Sequence, residues 1–287
     1  MKRPVFTGAA VAIITPMNTD GSVNYDELGR IIDDQIAHST DAIVICGTTG
    51  ESPTLTDEEH TECIRYTVKK TAGRVPVIAG TGSNDTKYAI WLSQQAEADG
   101  ADALLLVTPY YNKTSQAGLL AHYTAIADAV HIPCILYNVP SRTGCNLTPA
   151  TLAELAKHPN INAVKEASGN ISHVAEIAAA CGDSLNIYSG DDAAILARTD
   201  LLDQCAAHTA IDALNDNIRH VLLFLSCKSR AKAKSRPAAW QWVGCEIISA
   251  GRTPAWQSPA APALRRRAQR AADGSRRHSS QGGSWPT

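Results

Sequence analysis

The sequence lacks the patterns that mark structural metals, disulfide frameworks and dinucleotide sites. Its eight cysteines are scattered over 287 residues, with no CxxC pair and no zinc-like spacing of histidine and cysteine. Scattered cysteines indicate free thiols in a reducing compartment. No Gly-x-Gly-x-x-Gly turn follows the first apolar segment, as a dinucleotide-binding sheet would require. The cysteine pattern therefore predicts neither a disulfide framework nor a zinc site.

Long apolar runs and a strong net charge are also missing. No run reaches the roughly 20 residues that a membrane helix needs, and the formal net charge is only −2. The apolar stretch near the amino terminus ends in Thr15-Pro16 without a small-residue cleavage pattern, so it is interpreted as a first strand and not as a signal peptide. We expect a soluble cytoplasmic protein that binds neither membrane nor nucleic acid.

Residues 1–195 alternate between short apolar segments and amphipathic stretches of helical length. This alternation predicts a parallel α/β sheet, and because the segments are apolar throughout, both faces of the sheet must be covered. A (β/α)₈ TIM barrel and a doubly wound sheet both satisfy that condition. The number of segments and the missing glycine turn favour the barrel as a catalytic domain over residues 1–195. The predicted strands are Val11–Thr15, Ala42–Cys46, Val75–Gly80, Ala103–Thr108, Cys134–Asn138, Ile161–Glu166 and Leu185–Ser189.

Two of the intervening stretches carry helix signals. Apolar residues recur at helical spacing in Asn24–His38 and in Asp57–Thr71. Ser22 precedes the first stretch, and Thr56 with Glu59 forms a capping-box pattern before the second. The sequence predicts helices at both places, capped by Ser22 and Thr56.

The composition changes near residue 196. Residues 1–195 hold 12 Lys and Arg against 22 Asp and Glu, whereas residues 196–287 hold 14 against 6 and four of the five tryptophans. No eighth strand is recognisable there, although Asn217–Cys227 has the length of one helix or strand. We expect an atypical, basic and partly disordered segment over 196–287. Nucleic-acid binding by this tail is the weaker alternative, because it shows no recognisable fold or helical face.

Lys165 is the most informative single residue, because it lies within the apolar segment Ile161–Glu166. Burial would lower the pKa of a lysine that points into a barrel. A neutral amine is a nucleophile that captures carbonyl compounds as Schiff bases. The alternative is a lysine at a strand end with its ammonium group in water.

Polar side chains follow the second and fourth strands. The second strand is followed by Gly47-Thr-Thr-Gly-Glu-Ser, where glycines allow a tight turn and the Thr48 and Thr49 hydroxyls could bind a carboxylate or relay a proton. The fourth strand ends in a pair of tyrosines, Tyr110 and Tyr111. Aromatic packing under a loop is the structural alternative for that pair.

The fifth and seventh strands supply the remaining candidates. Tyr137 could act as an acid or base near a lysine amine, and Arg142 offers two donors to a carboxylate. A structural tyrosine and a surface arginine remain possible for these two positions. After the seventh strand, Gly190 could admit substrate contacts, while Asp191 and Asp192 could cap a helix or line the mouth of the barrel.

Taken together, these motifs resemble the dihydrodipicolinate synthase family, within the superfamily of class I aldolases and N-acetylneuraminate lyases. The resemblance covers about residues 5–195, with the motifs in order, and the Arg142 motif favours the synthases over the sugar-acid lyases. The motifs are Gly47-Thr-Thr-Gly-Glu-Ser, Val107-Thr-Pro-Tyr-Tyr-Asn, Tyr137-Asn-Val-Pro-Ser-Arg-Thr-Gly, Lys165-Glu-Ala-Ser-Gly-Asn and Ser189-Gly-Asp-Asp.

The resemblance implies a reaction. Lys165 would form an imine with pyruvate, and the derived enamine would attack L-aspartate 4-semialdehyde to give 4-hydroxy-tetrahydrodipicolinate, in lysine and diaminopimelate biosynthesis. Tyr137, Thr48 and Tyr111 would form a proton relay, with Tyr111 reaching in from a neighbouring subunit of a homodimer or homotetramer. The resemblance implies no organic cofactor and no catalytic metal.

The resemblance also implies binding roles. Arg142 would hold the semialdehyde carboxylate, and Thr49 the pyruvate carboxylate. A lysine-effector site would include Ser52, His60, Asn84 and Tyr110. Pro53, Asp57 and Tyr88 stand where lysine-sensitive members often carry other residues.

The sequence departs from the family after Asp192. A glycine-rich turn, the family's eighth strand and its helical carboxyl-terminal region are not recognisable, although the total length is similar. We hypothesise that the gene lost its reading frame near codon 195. Resequencing tests this, and the hypothesis fails if a frame restored by one or two bases does not encode the missing strand. Such a barrel would expose the edges of its first and seventh strands, which predicts poor stability and low activity. The two alternative functions are a pyruvate lyase acting on a sugar acid and an inactive remnant.

Overall fold

The computed structural model describes residues 2–191 and the backbone of residues 222–226. The rest of the predicted segment 196–287 lies outside the described residues, as does Asp192. None of the described helices is long and apolar enough to span a membrane.

Eight parallel strands form a closed barrel, in which each strand pairs with the next along the chain and the last pairs with the first. The prediction of a TIM barrel is confirmed. Predicted strand boundaries agree with the observed ones to within a few residues. The strands are β1 (Ala9–Ala12), β2 (Ala42–Ile45), β3 (Val77–Gly80), β4 (Ala103–Val107), β5 (Cys134–Asn138), β6 (Ile161–Glu166), β7 (Asn186–Ser189) and β8 (Leu222–Ser226).

The eighth strand corrects one expectation. Of the two possibilities for Asn217–Cys227, the structure forms a strand, Leu222–Ser226, which pairs in parallel with four residues of β1 and two of β7. The predicted open edges on β1 and β7 are therefore wrong. This closure needs no particular side chains, because strand pairing uses backbone groups, and every residue except proline carries both the donor and the acceptor.

Helices connect the strands on the outside of the barrel. The Asp57–Thr71 helix has the predicted capping box, with the Thr56 side chain accepting from the Glu59 N–H and the Glu59 side chain accepting from the Thr56 N–H. Ser22 is not a cap, because it bonds Asp20 instead, and Asn24 caps the first helix. The helices are α1 (Tyr25–Ala37), α2 (Asp57–Thr71), α3 (Thr86–Ala98), α4 (Gln116–Asp128), α5 (Pro140–Thr143), α6 (Pro149–Leu155) and α7 (Ile171–Cys181).

The buried apolar side chains form two layers that alternate along the strands. Inside the barrel the residues are mostly small, and they share this space with two tyrosines. The outer layer, between strands and helices, holds larger aliphatic side chains, such as Ile43, Ile45 and Leu104. Alternation in β6 places Lys165 in the inner layer and its neighbours Val164 and Glu166 in the outer one. The inner members of the strands include Ala10, Ala12, Ala42, Val44, Ile78, Ala103, Leu105, Ile135, Tyr137, Ala163 and Tyr188.

Candidate active site

The register of the barrel aligns the candidate residues of neighbouring strands. Val107 of β4 pairs with Tyr137 of β5, Tyr137 with Lys165 of β6, and Lys165 with Tyr188 of β7. Paired residues of parallel strands point to the same face. Lys165 and Tyr137 therefore meet inside the barrel, and the Lys165 Nζ lies 4.4 Å from the centroid of the Tyr137 ring.

Lys165 is buried, with 8% of its surface exposed. This burial contradicts the alternative of a strand-end lysine with its ammonium group in bulk water. Gly190 explains how the long side chain fits, since a Cβ on Gly190 would lie 2.8 Å from Lys165 Cε and 2.9 Å from Ala167 Cβ. In the structure this glycine leaves room for the lysine, and the substrate contact that the sequence suggested for Gly190 stays a prediction.

A cavity of about 270 Å³ opens at the carboxyl ends of the strands and brings together five of the predicted site residues, Thr48, Thr49, Tyr137, Arg142 and Lys165. Its volume is suited to a small metabolite. The arrangement combines an amine, a phenol, two hydroxyls and one guanidinium group. The remaining lining residues were not predicted from the sequence; they are Ala12, Ile14, Gly47, Glu51 and Leu105.

Burial raises the pKa of the Tyr137 phenol, and the positive charge of Arg142 opposes that shift. A raised pKa keeps the phenol protonated at neutral pH, so that it can donate a proton to a developing oxyanion. The phenol and the Lys165 amine share one cavity, so a substrate bound to the amine would lie close to the phenol.

The loop after β2 is folded tightly against the first strand's end. Thr48–Gly50 and Ser52–Thr54 form single helical turns, and Glu51 between them has a left-handed backbone with φ of 55°. The Thr15 hydroxyl donates to the carbonyl oxygen of Gly50 at 2.7 Å. This packing directs the loop toward the cavity that Thr48 and Thr49 line.

A second, smaller cavity of about 30 Å³ adjoins the first and shares Gly47, Thr48, Leu105 and Tyr137 with it. Space of this size holds about one water molecule. Cys46 and Ser52 also line it. The predicted relay residues Thr48 and Tyr137 therefore border both cavities.

Tyr111, the third predicted relay residue, does not line either cavity. Its side chain is 90% exposed, and its backbone has φ of 67°, a left-handed conformation that is uncommon for a tyrosine. The turn thus projects the ring away from its own barrel. Within this chain the structure does not bring Tyr111 to Lys165.

Three of the four residues of the predicted effector site take part in hydrogen-bond contacts, and the fourth lines a cavity. His60 is buried and its Nε2 lies 2.9 Å from the carbonyl oxygen of Gly80, while burial lowers the pKa of the imidazole. The Asn84 side chain donates to the carbonyl oxygen of Tyr110 at 3.3 Å. Ser52 lines the smaller cavity. The effector role of these residues stays a prediction.

No cluster of three or more metal-ligating side chains occurs in the part of the chain that the structure describes.

Asp191 lies in the turn after β7, where its N–H lies 3.4 Å from the Ser189 hydroxyl and its carbonyl oxygen accepts from that hydroxyl. The five described cysteines, at positions 46, 63, 134, 145 and 181, are free thiols.

Comparison with known proteins agrees with this geometry. A sequence profile described as the Dihydrodipicolinate synthetase family matches residues 5–217. The chain belongs to this family. The match extends past the boundary near residue 195 that the motifs predicted.

Curated relatives and solved structures point to the same family. The 4-hydroxy-tetrahydrodipicolinate synthase of Caldicellulosiruptor saccharolyticus is 58% identical over 189 residues, which are 66% of this chain and 64% of the relative. That of Lachnoclostridium phytofermentans is 60% identical over 193 residues, 67% of this chain and 66% of the relative. The chain thus spans slightly less than two thirds of the length of these family members. A crystal structure of the chloride-inhibited dihydrodipicolinate synthase from Acinetobacter baumannii, complexed with pyruvate, is similar with a TM-score of 0.64 and 48% identity, covering 65% of this chain and 64% of that one.

Proposed function

We propose that this chain condenses pyruvate with L-aspartate 4-semialdehyde through a Schiff base on Lys165, as a 4-hydroxy-tetrahydrodipicolinate synthase. The observation that carries the proposal is the shared cavity in which Lys165 and Tyr137 are adjacent and Arg142 and the Thr48–Thr49 turn complete the wall. Membership of the family and the identity of about 58% to named synthases support it.

The first substrate reacts at Lys165. The neutral amine attacks the ketone carbon of pyruvate, and loss of water leaves an imine. Tyr137, which is protonated at neutral pH, supplies the proton that lets the carbinolamine oxygen leave as water. Thr49 and the backbone of the Gly47–Ser52 loop hold the pyruvate carboxylate. Loss of a proton from the pyruvate methyl group then gives the enamine.

The second substrate reacts at the enamine carbon. That carbon forms a bond to the aldehyde carbon of the semialdehyde, and the aldehyde oxygen takes up a proton through the Tyr137–Thr48 relay. The amino group of the semialdehyde then attacks the imine carbon and displaces the Lys165 amine, which closes the ring. Arg142 holds the carboxylate of the semialdehyde with its guanidinium group.

We further propose that the protein acts as a homo-oligomer, a dimer or a tetramer, in the cytoplasm. The 90% exposed Tyr111 supports the oligomer, because a strained surface tyrosine is suited to enter a neighbouring subunit. Its hydroxyl would complete the relay of Tyr137 and Thr48 across the interface. The free thiols among the described residues support a reducing compartment.

Incubation with pyruvate and borohydride tests the first step. Reduction should fix the imine, and intact mass with peptide mapping should place the adduct on Lys165. Turnover with pyruvate and aspartate semialdehyde then separates the synthase from a sugar-acid lyase, which would prefer a sugar acid in a competition assay. Folded protein that forms no adduct would contradict the proposal and favour an inactive remnant.

A further inference from the structure

Glu166 is a fully buried acid directly after Lys165. Its side chain is 1% exposed and lies in the outer layer, on the opposite face of β6 from the lysine. Both carboxylate oxygens accept hydrogen bonds: Oε2 from Asn138 Nδ2 at 2.8 Å, and Oε1 from the Ser168 N–H at 2.7 Å. A buried carboxyl group is costly unless such partners stabilise it, so its presence here requires an explanation.

Asn138 is the register partner of Glu166 and is also fully buried. Its amide uses both ends: Nδ2 donates to Glu166 and to Asn146 Oδ1, each at 2.8 Å, and Oδ1 accepts from the Leu147 N–H at 3.0 Å. Asn146 and Leu147 end the loop that leaves β5 and carries Arg142. Asn138 therefore ties both ends of that loop to β6.

His173 of α7 contacts this network at the Leu147 end of the loop. Its Nε2 lies 3.0 Å from the Leu147 carbonyl oxygen and 3.8 Å from Glu166 Oε2. Since a carbonyl only accepts, Nε2 carries the proton in this arrangement. The Nδ1 atom lies 3.9 Å from the carboxylate of Glu176. The ring thus donates to the loop end and lies close to the buried acid.

We propose that Glu166 and Asn138 are positioning residues that fix Lys165 relative to the Arg142 loop. Their hydrogen bond joins the strand end that carries the imine-forming amine to the loop that carries the guanidinium group. This inference rests on the proposed function, in which the first group binds pyruvate and the second binds the semialdehyde. Both residues act behind the cavity and touch neither substrate.

The polarity of the bond makes the inference testable. In Glu166→Gln, the new amide nitrogen must face either the Asn138 donor or the Ser168 N–H, so one buried donor loses its acceptor. In Asn138→Asp, two carboxylates face each other across the β5–β6 pair. The double variant Asn138→Asp, Glu166→Gln reverses the direction of the bond, because the glutamine amide then donates to the aspartate.

Each single variant should slow borohydride-trappable imine formation or turnover by about 10²-fold, the loss expected when a reacting group moves by an ångström. Asn138→Asp should also raise KM for aspartate semialdehyde, because the Arg142 loop loses the donor that Asn138 Nδ2 supplies to Asn146. The double variant should recover about tenfold over either single variant. Wild-type values in both singles, or a double variant no better than they are, would overturn the inference.

Asn162→Asp is a matched control for folding. Asn162 is buried and lies in β6, as Glu166 does, but at the end of the barrel away from the cavity. Its Nδ2 donates to the Arg3 carbonyl oxygen, and its Oδ1 accepts from Asn186. It should lower the melting temperature without changing the imine rate per folded molecule. Asn146→Ala adds a variant with an exposed side chain, which should raise KM for the semialdehyde and leave the pyruvate step unchanged.

Hydrogen exchange separates this inference from the proposed function. If wild-type protein forms no pyruvate adduct, the proposed function fails, yet the amides of residues 139–147 still report on the network. Faster exchange of that segment in Glu166→Gln than in Asn162→Asp would support the positioning role. Equal exchange in the two variants would overturn it.

Discussion

The seven strands between Ala9 and Ser189 and the eighth strand, Leu222–Ser226, contribute differently to this barrel. Candidate site residues lie on or directly after several of the seven, whereas none of the predicted site residues belongs to the eighth. The eighth strand contributes pairing, with four residues of β1 and two of β7. Closing the barrel requires a short run with free backbone groups, but the chemistry requires particular side chains at particular strand ends.

This difference separates two ways of losing activity. Under the proposed function, a change at Lys165 removes the chemistry and keeps the barrel, whereas a change in β8 removes the closure and keeps every candidate side chain. A departure from the family in the carboxyl-terminal part therefore threatens stability before it threatens the composition of the site. Substitutions in each region can measure the two contributions separately.

Lys165→Met should have the largest effect on activity. It removes the only group that can form the imine in the proposed reaction, so turnover should fall on the order of 10³-fold or more, and pyruvate with borohydride should leave no adduct. The melting temperature should change little, because methionine is similar to lysine in length and fills the same space within the barrel. Lys157→Met, at an exposed position, is the control. An adduct at another lysine in the Lys165 variant would contradict the assignment.

Leu223→Pro should disrupt the closure of the barrel by β8. Leu223 pairs with Ala9 of β1 and with Ser189 of β7, and proline cannot donate to a ladder between two strands. We expect a loss of about 1–3 kcal/mol in the free energy of unfolding, measured by urea titration, because a partner carbonyl loses its donor. Activity per folded molecule should change less than in Lys165→Met. The control Leu223→Val keeps the N–H, and equal stability of the two variants would show that β8 does not close the barrel.

Gly190→Ala should affect the site through packing alone. The added Cβ would lie 2.8 Å from Lys165 Cε, so the amine must move within the cavity. A displacement of this kind should lower the rate of imine formation by about 10²-fold, with a small loss of stability. Gly73→Ala is a useful contrast, because a Cβ there has no atom within 4 Å although its φ of 71° is strained. Unchanged imine formation in Gly190→Ala would contradict the packing role.

Much of the fold was predictable because the seven apolar segments have strand length and are separated by amphipathic helices. The site was predictable as far as it consists of residues at strand ends, as for Tyr137 and Lys165. The predicted end of the first strand, Thr15, lies beyond the observed end, Ala12, because Ile13 and Ile14 continue the apolar run after pairing stops. Asn24 and Ser22 are both acceptable caps, and only the observed backbone decides between them.

The parts that could not be predicted depend on contacts between distant segments. Glu166 lies in an apolar strand, and nothing in its local sequence shows that Asn138, 28 residues earlier, holds its carboxylate. Gly190 owes its role to a lysine on the neighbouring strand. The eighth strand lies in a region without regular alternation, and its identity comes from pairing with β1 at the other end of the sequence. Local pattern predicts elements but does not specify these partners.

Substitution of His122 should have the smallest effect on the protein. This residue lies in helix α4, outside the eight strands compared above. It is buried, its Nδ1 lies 2.8 Å from the Thr86 hydroxyl, and its Nε2 has no hydrogen-bond partner among the described residues. Burial lowers the pKa of His122 to about 4, against a weaker opposing effect of Asp85. An unfolded histidine has a pKa of about 6.5, so between these values the unfolded chain binds a proton that the folded protein does not. The stability that the neutral, buried imidazole permits is complete above pH 6.5 and is lost as the pH falls toward 4.

His122→Asn should therefore reduce the loss of stability between pH 7.5 and pH 5 by about 1 kcal/mol in urea titrations, allowing for partial solvent screening. Equal pH slopes in wild type and His122→Asn would show that the buried imidazole does not control the pH dependence of stability.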